Sequence, residues 1–109
     1  MNHWLTLTIA VISEVIATSA LKATDNFTNW QPTVIVVIGY ISAFYFLSLT
    51  LRTMPLGIAY ALWCGFGIVL VAIIGWVVYR QSLDAAACIG IALIGAGALI
   101  LSLYSKTIV

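Results

Sequence analysis

Apolar residues run along the chain in four long blocks separated by short polar breaks. The first block covers about His3 to Leu21, and KATDNFTNWQP, Lys22 to Pro32, is the longest break. A second block runs from about Thr33 to Leu51 and stops at Arg52-Thr53-Met54-Pro55, where the proline marks a turn. The third extends from about Leu56 to Tyr79 and stops at Arg80-Gln81-Ser82-Leu83-Asp84; the fourth runs from about Ala85 to Tyr104, before the tail Ser105 to Val109. Each block approaches the ~20 apolar residues that a helix needs to cross a ~30 Å hydrocarbon core. None shows the alternation of barrel strands, despite rich Val and Ile. The pattern predicts an all-α membrane protein, one four-helix transmembrane domain over residues 1–109, with helices at about 3–21, 33–51, 56–79 and 85–104.

Composition agrees: 64% of the 109 residues are hydrophobic and only 6% charged, against the roughly 25% charged residues of a soluble domain. That leaves no room for a soluble domain or a linker. With four basic and three acidic residues there is no basic patch, and no nucleic-acid partner is expected. Small residues at Ala17-Thr18-Ser19-Ala20 imitate a leader cleavage site. No Lys or Arg precedes the run, however, Glu14 interrupts it, and more blocks follow, so a retained first helix is expected. Cys64 and Cys88 lie in apolar runs without CxxC spacing, and the lone His3 stands at the edge. Neither a metal site nor a cofactor, nor any enzymatic constellation, is expected from such residues.

Basic residues also bear on orientation. Arg52 and Lys106 belong to one side of a four-helix topology, Lys22 and Arg80 to the other. The positive-inside count is balanced, which fits either weak specification or insertion both ways round, as in an antiparallel homodimer. The fourth block offers a contact surface, because Ala86, Gly90 and Gly97 share one helical face and small faces let helices approach closely in lipid. Small residues are also simply common in membrane helices.

Against this background Glu14 stands out. Ten residues separate it from Trp4, about 15 Å of helix, or half the hydrocarbon core. An ionised side chain at that depth costs roughly 2.5–3.5 kcal/mol, so it pairs, protonates or faces a watery cavity. All four basic residues sit near block ends, so its counter-charge is a proton or something from outside. One alternative is a protonated carboxyl bonded to a neighbouring helix; the other is a proton or cation pathway. Leu7, Ala10, Val11, Ala17 and Thr18 share its face, with Ala10 and Ala17 expected to leave volume beside it. Tyr60 and Trp63 share a face of the third block, Tyr40, Phe44 and Leu47 one of the second, and Trp4 lies on the first. Such rings serve packing or attract organic cations, and a buried tyrosine hydroxyl would find its acceptor in Glu14. Gly65-Phe66-Gly67 reads either as a hinge or as a place of close packing.

SEVIATSALK (Ser13–Lys22), PLGIAYALW (Pro55–Trp63), GFGIVL (Gly65–Leu70) and GIALIGAG (Gly90–Gly97) together resemble the small multidrug resistance transporters, especially their quaternary-ammonium subgroup. The resemblance covers nearly the whole chain. It implies a multi-pass protein of the bacterial inner membrane, working as a dual-topology antiparallel homodimer that exchanges protons for hydrophobic cations. By position it implies Glu14 as the shared proton and substrate site. Tyr40, Tyr60 and Trp63 would be its lining, Gly65 and Gly67 a bending point, and Gly90 and Gly97 a dimer contact. The guanidinium-exporting branch resembles the chain less, since Ala17 and Ile58 stand where that branch tends to have Trp and Thr. Trp4 and Cys64 depart from the multidrug pattern, where Tyr and Ser or Thr are usual. A non-transporting subunit of a larger membrane complex is the remaining alternative.

Overall fold

A computed structural model of the chain describes residues 2–104. Its helices are α1 (His3–Leu21), α2 (Trp30–Thr50), α3 (Leu56–Val77) and α4 (Ala85–Tyr104). All four are long and apolar enough to cross a membrane, and no strand occurs among the described residues. Lys106, which entered the charge count, lies with the rest of the tail outside the described residues.

Helix starts follow local chemistry. The Asn2 side chain accepts from the Trp4 N–H at 2.7 Å, and Asp84 Oδ1 accepts from the Ala87 N–H at 2.8 Å, each satisfying a donor that a helix N-terminus leaves free. Two boundaries differ from the sequence reading. α2 begins at Trp30, before Pro32, rather than at residue 33. Proline is tolerated in a helix's first turn because its missing N–H has no acceptor to serve there. α3 ends at Val77, not Tyr79. There the chain turns back through Arg80 at φ 55°, and the Gln81 N–H donates to the Gly75 carbonyl at 3.0 Å.

Between α1 and α2 a single 3₁₀ turn, Lys22–Thr24, leads into three consecutive left-handed residues, Asp25, Asn26 and Phe27. Asp and Asn visit this region routinely; Phe does not. Buried Thr24 organises the reversal. Its hydroxyl donates to the Leu21 carbonyl at 2.7 Å, and its own carbonyl accepts from Thr28 and Asn29 at 2.9 and 3.0 Å.

α1 lies in the middle of the molecule, packed on α2 and α3, whereas α4 packs on α3 alone. The result is a slab with extents of 43 × 34 × 16 Å. The core gathers Leu7, Val11 and Val15 of α1, Leu47 of α2, and Leu62 and Trp63 of α3, with Ala98 the sole fully buried residue of α4. Outward faces are apolar: Ile38 is 62% exposed, Leu93 68% and Leu103 70%. Surfaces of this kind belong against lipid or a partner.

The two helix pairs are held differently. Between α1 and α2, hydroxyls pair at three depths: Thr6 with Thr50 (2.7 Å), Ser13 with Ser42 (3.2 Å) and Thr18 with Tyr40 (2.5 Å). Ala17 and Gly39 bring the backbones together, because a Cβ on Gly39 would lie 2.8 Å from the Ala17 Cβ and 3.1 Å from the Ser13 carbonyl oxygen. α3 and α4 meet through small and apolar groups. A Cβ on Gly65 would lie 2.9 Å from the Ala98 Cβ, and one on Gly95 would lie 3.1 Å from Val69 Cγ2.

Candidate functional site

Glu14 projects from the middle of α1 onto α3, where it meets Gly67. A Cβ at that glycine would lie 2.6 and 2.7 Å from the two carboxyl oxygens and 2.9 Å from Cδ. The carboxyl group thus rests on bare α3 backbone, in space that any larger residue would fill. Its Oε2 is buried without a hydrogen-bond partner among the described residues, as is the Trp63 Nε1 donor one helical turn away from Gly67 along α3. Buried polar atoms nearly always find partners, and leaving one unmade costs about 1–3 kcal/mol or more. An acceptor of α1 and a donor of α3 are thus left open, as is the Ser19 hydroxyl further along α1. The nearest basic side chain along α1 is Lys22, eight residues on and so about 12 Å along the helix. Its ammonium lies over the Tyr79 ring, 5.5 Å from the centroid, and the Tyr79 hydroxyl donates to the Ser19 carbonyl.

A row of aromatic rings crosses from α2 to α3. Tyr40 and Phe44 of α2 have centroids 6.4 Å apart, Phe44 and Trp63 5.3 Å, and Trp63 and Tyr60 of α3 5.7 Å. Trp63 is buried, while Phe44 and Tyr60 keep more than half their surface exposed. The row therefore bridges α2 and α3, which otherwise touch little, and opens at both edges. Ring faces and an unpaired carboxyl are together what a large, weakly hydrated cation requires.

Several expected neighbours do something else. Tyr40 does not reach Glu14; its hydroxyl pairs with Thr18, the nearer partner across the α1–α2 contact. Ala10 and Ala17 leave no volume beside the carboxyl, since both are wholly buried and Ala17 is pressed against Gly39. Leu7, Val11 and Leu47 are core residues of the protomer. Trp4 lies apart from the aromatic row, with its ring centroid 5.5 Å from that of His3, on the wall of a separate groove. Gly65 and Gly67 are both points of close packing, and α3 passes through them as a continuous helix. Gly90 and Gly97 have nothing within 4 Å of a would-be Cβ, and Ala86 is exposed, so their shared face is open.

Other contributors went unremarked in the sequence. Gly39, Ser42 and Thr50 of α2 answer Ala17, Ser13 and Thr6 of α1. The signal is present in the numbering: in each pair the two positions sum to 55 or 56, the register of an antiparallel hairpin.

The family described as Small Multidrug Resistance protein matches residues 2–94. Quaternary ammonium compound-resistance protein QacF of Klebsiella aerogenes is 54% identical over 106 residues, 97% of this chain and 96% of the relative. QacE of Escherichia coli, a quaternary ammonium compound-resistance protein, is 50% identical over the same shares. The multidrug transporter EmrE of Escherichia coli (strain K12) is 43% identical over 107 residues, 98% of this chain and 97% of its own. Four spanning helices and bacterial relatives of matching length make this a multi-pass protein of the bacterial inner membrane. The chain belongs to the small multidrug resistance family.

Proposed function

We propose that the chain is a proton-coupled antiporter that exports hydrophobic and quaternary ammonium cations, with Glu14 as the site shared by proton and substrate. The buried, unpartnered carboxyl oxygen at mid-span carries this reading. Such a group is neutralised by a proton or by a cation, and one carboxyl cannot serve both at once. Mutual exclusion is then itself the coupling: protons arriving from one side release a cation taken up from the other. The relatives' names, quaternary ammonium compound-resistance protein and multidrug transporter, support cations as cargo. Tyr60, Trp63, Phe44 and Tyr40 form the aromatic lining.

The single four-helix domain works as an antiparallel, dual-topology homodimer that brings two Glu14 carboxyls to one chamber. Three observations support this. Basic residues are balanced between the two faces of the membrane, a slab 16 Å thick has no interior to enclose a substrate, and the α4 face of Ala86, Gly90 and Gly97 is open. With inverted copies, exchanging the conformations of the two protomers presents an equivalent site to the opposite side of the membrane.

Replacing Glu14 with Gln tests the mechanism. In reconstituted vesicles Glu14→Gln is expected to abolish cation uptake driven by a proton gradient, with insertion and dimerisation retained; transport that survives would refute it. Glu14→Asp should move the pH profile of cation binding, and an unchanged profile would count against the carboxyl as coupling group. Comparing tetraphenylphosphonium with guanidinium in one binding assay separates multidrug from guanidinium export. Binding of neither points to a non-transporting subunit.

A further inference from the structure

Away from Glu14, one aromatic ring already carries a cation. The Lys22 ammonium lies over the Tyr79 ring, 5.5 Å from its centroid, and makes no hydrogen bond or ion pair among the described residues. Lys22 is exposed at the C-terminal end of α1, and Tyr79 is half-buried just past the end of α3. The ring is held without help from Lys22. Its hydroxyl donates to the Ser19 carbonyl of α1. The turn that carries it is folded back on α3, where the Gln81 N–H donates to the Gly75 carbonyl at 3.0 Å. Gln81 Oε1 closes on the same glycine, 2.7 Å from a would-be Cβ.

A ring anchored in this way keeps its place when the ammonium swings aside. The lysine ammonium is compact and strongly hydrated, so it returns to water at little cost. A quaternary ammonium or phosphonium ion is weakly hydrated and gains more from an aromatic face. The ring also lies on the way to the carboxyl. Ser19 stands five residues from Glu14 and Lys22 eight, about 7.5 and 12 Å along α1. Between them the Ser19 hydroxyl is buried without a partner.

We propose that the Tyr79 ring is an outer binding site for organic cations, where a quaternary ammonium or phosphonium ion replaces the Lys22 ammonium before it moves on to Glu14. The proposal rests on the export reading above and adds a separate station to it. Lys22 is the built-in competitor, which keeps this station weak and lets the cation leave it. In an antiparallel pair one such ring faces each side of the membrane, so a cation passes the same kind of station on entry and on release.

The test uses the full-length protein in nanodiscs, with Glu14→Gln to silence the inner site, titrated with the trimethylammonium derivative of the TEMPO nitroxide. Paramagnetic broadening in NMR spectra reports where the probe sits. The Ser19 amide and the Lys22 side chain are expected to broaden at lower probe concentration than the rings of Trp30 and Tyr104, which are 72% and 76% exposed. Tyr79→Leu should weaken the site about 2–5-fold, the range of an exposed cation–π contact. Lys22→Met removes the competitor and should tighten it; where Tyr79→Leu fails to fold, this variant carries the test. Equal broadening at Trp30 and Tyr104 would show mere partitioning into the interface and overturn the proposal. So would probe binding that neither substitution changes. Tetraphenylphosphonium binding to protein with Glu14 intact, measured in parallel, separates the two failures. If it binds and no probe gathers at Tyr79, only the outer site falls; if it does not bind, the export reading falls as well.

Discussion

The α1–α2 pair and the α3–α4 pair contain the same kind of close contact, a glycine pressed against an alanine across two helices. Gly39 meets Ala17 at a would-be Cβ distance of 2.8 Å, and Gly65 meets Ala98 at 2.9 Å. They differ in what surrounds the contact. Three hydroxyl pairs tie α1 to α2, whereas α3 and α4 touch through small and apolar groups. In lipid, where no hydrophobic drive holds helices together, hydrogen bonds add to close packing in the first pair, while close packing alone serves the second. Glu14 belongs to the first pair and rests on the second, so the carboxyl sits where the two pairs meet.

This contrast can be broken most forcefully at Gly39. Gly39→Ala should destabilise the protein by about 1–3 kcal/mol, the usual cost of overpacking, in unfolding by SDS in mixed micelles. Ala17→Gly in the same chain should restore most of the loss; absence of rescue would show that the close approach does not set the cost. Gly65→Ala introduces an almost equal clash in the second pair, where α4 packs on α3 alone. It should cost about 1 kcal/mol, the low end of the same range, since α4 can shift away. A loss as large as at Gly39 would abolish the distinction. The smallest effect is expected from the hydroxyls themselves. A double-mutant cycle on Thr6→Val and Thr50→Val should give a coupling of about 0.6 kcal/mol, within the ~1.7 kcal/mol limit seen for membrane hydrogen bonds. A coupling of zero would remove the hydrogen bonds from the account and leave the small residues alone.

Helices and the mid-span acid were legible from the chain because both depend on one-dimensional quantities, the length of an apolar run and distance from its end. Contacts set by the facing helix depend on a second position along the chain and are not legible in this way. Ala17 reads as empty space beside Glu14 when only α1 is considered, yet it is filled by Gly39. Tyr40 shares a depth with Glu14, but Thr18 stands nearer to its hydroxyl. Trp4 resembles the other aromatics in residue type, but its ring lies by His3 and ten residues of helix part it from Glu14. At Gly65-Phe66-Gly67 the sequence permits both a bend and close packing; the contacts with Ala98 and Glu14 show the packing. Pro32 misleads for a local reason, since a proline that ends a helix from within is harmless in its first turn.

The seat of Glu14 also has a consequence for how the molecule is made. Gly67 belongs to the third helix, so a nascent chain carries its carboxyl into the bilayer before that seat exists. From residue 14 to residue 67, synthesis at ~5–20 residues per second takes about 3–10 s. During that interval α1 can be held only by α2, whose Ser42, Tyr40 and Thr50 reach Ser13, Thr18 and Thr6 as soon as the short Lys22–Thr24 reversal has formed. The hydroxyl ladder is thus an assembly aid as well as a fastening: it gives the first helix a partner while the one residue that most needs a place is still waiting for it.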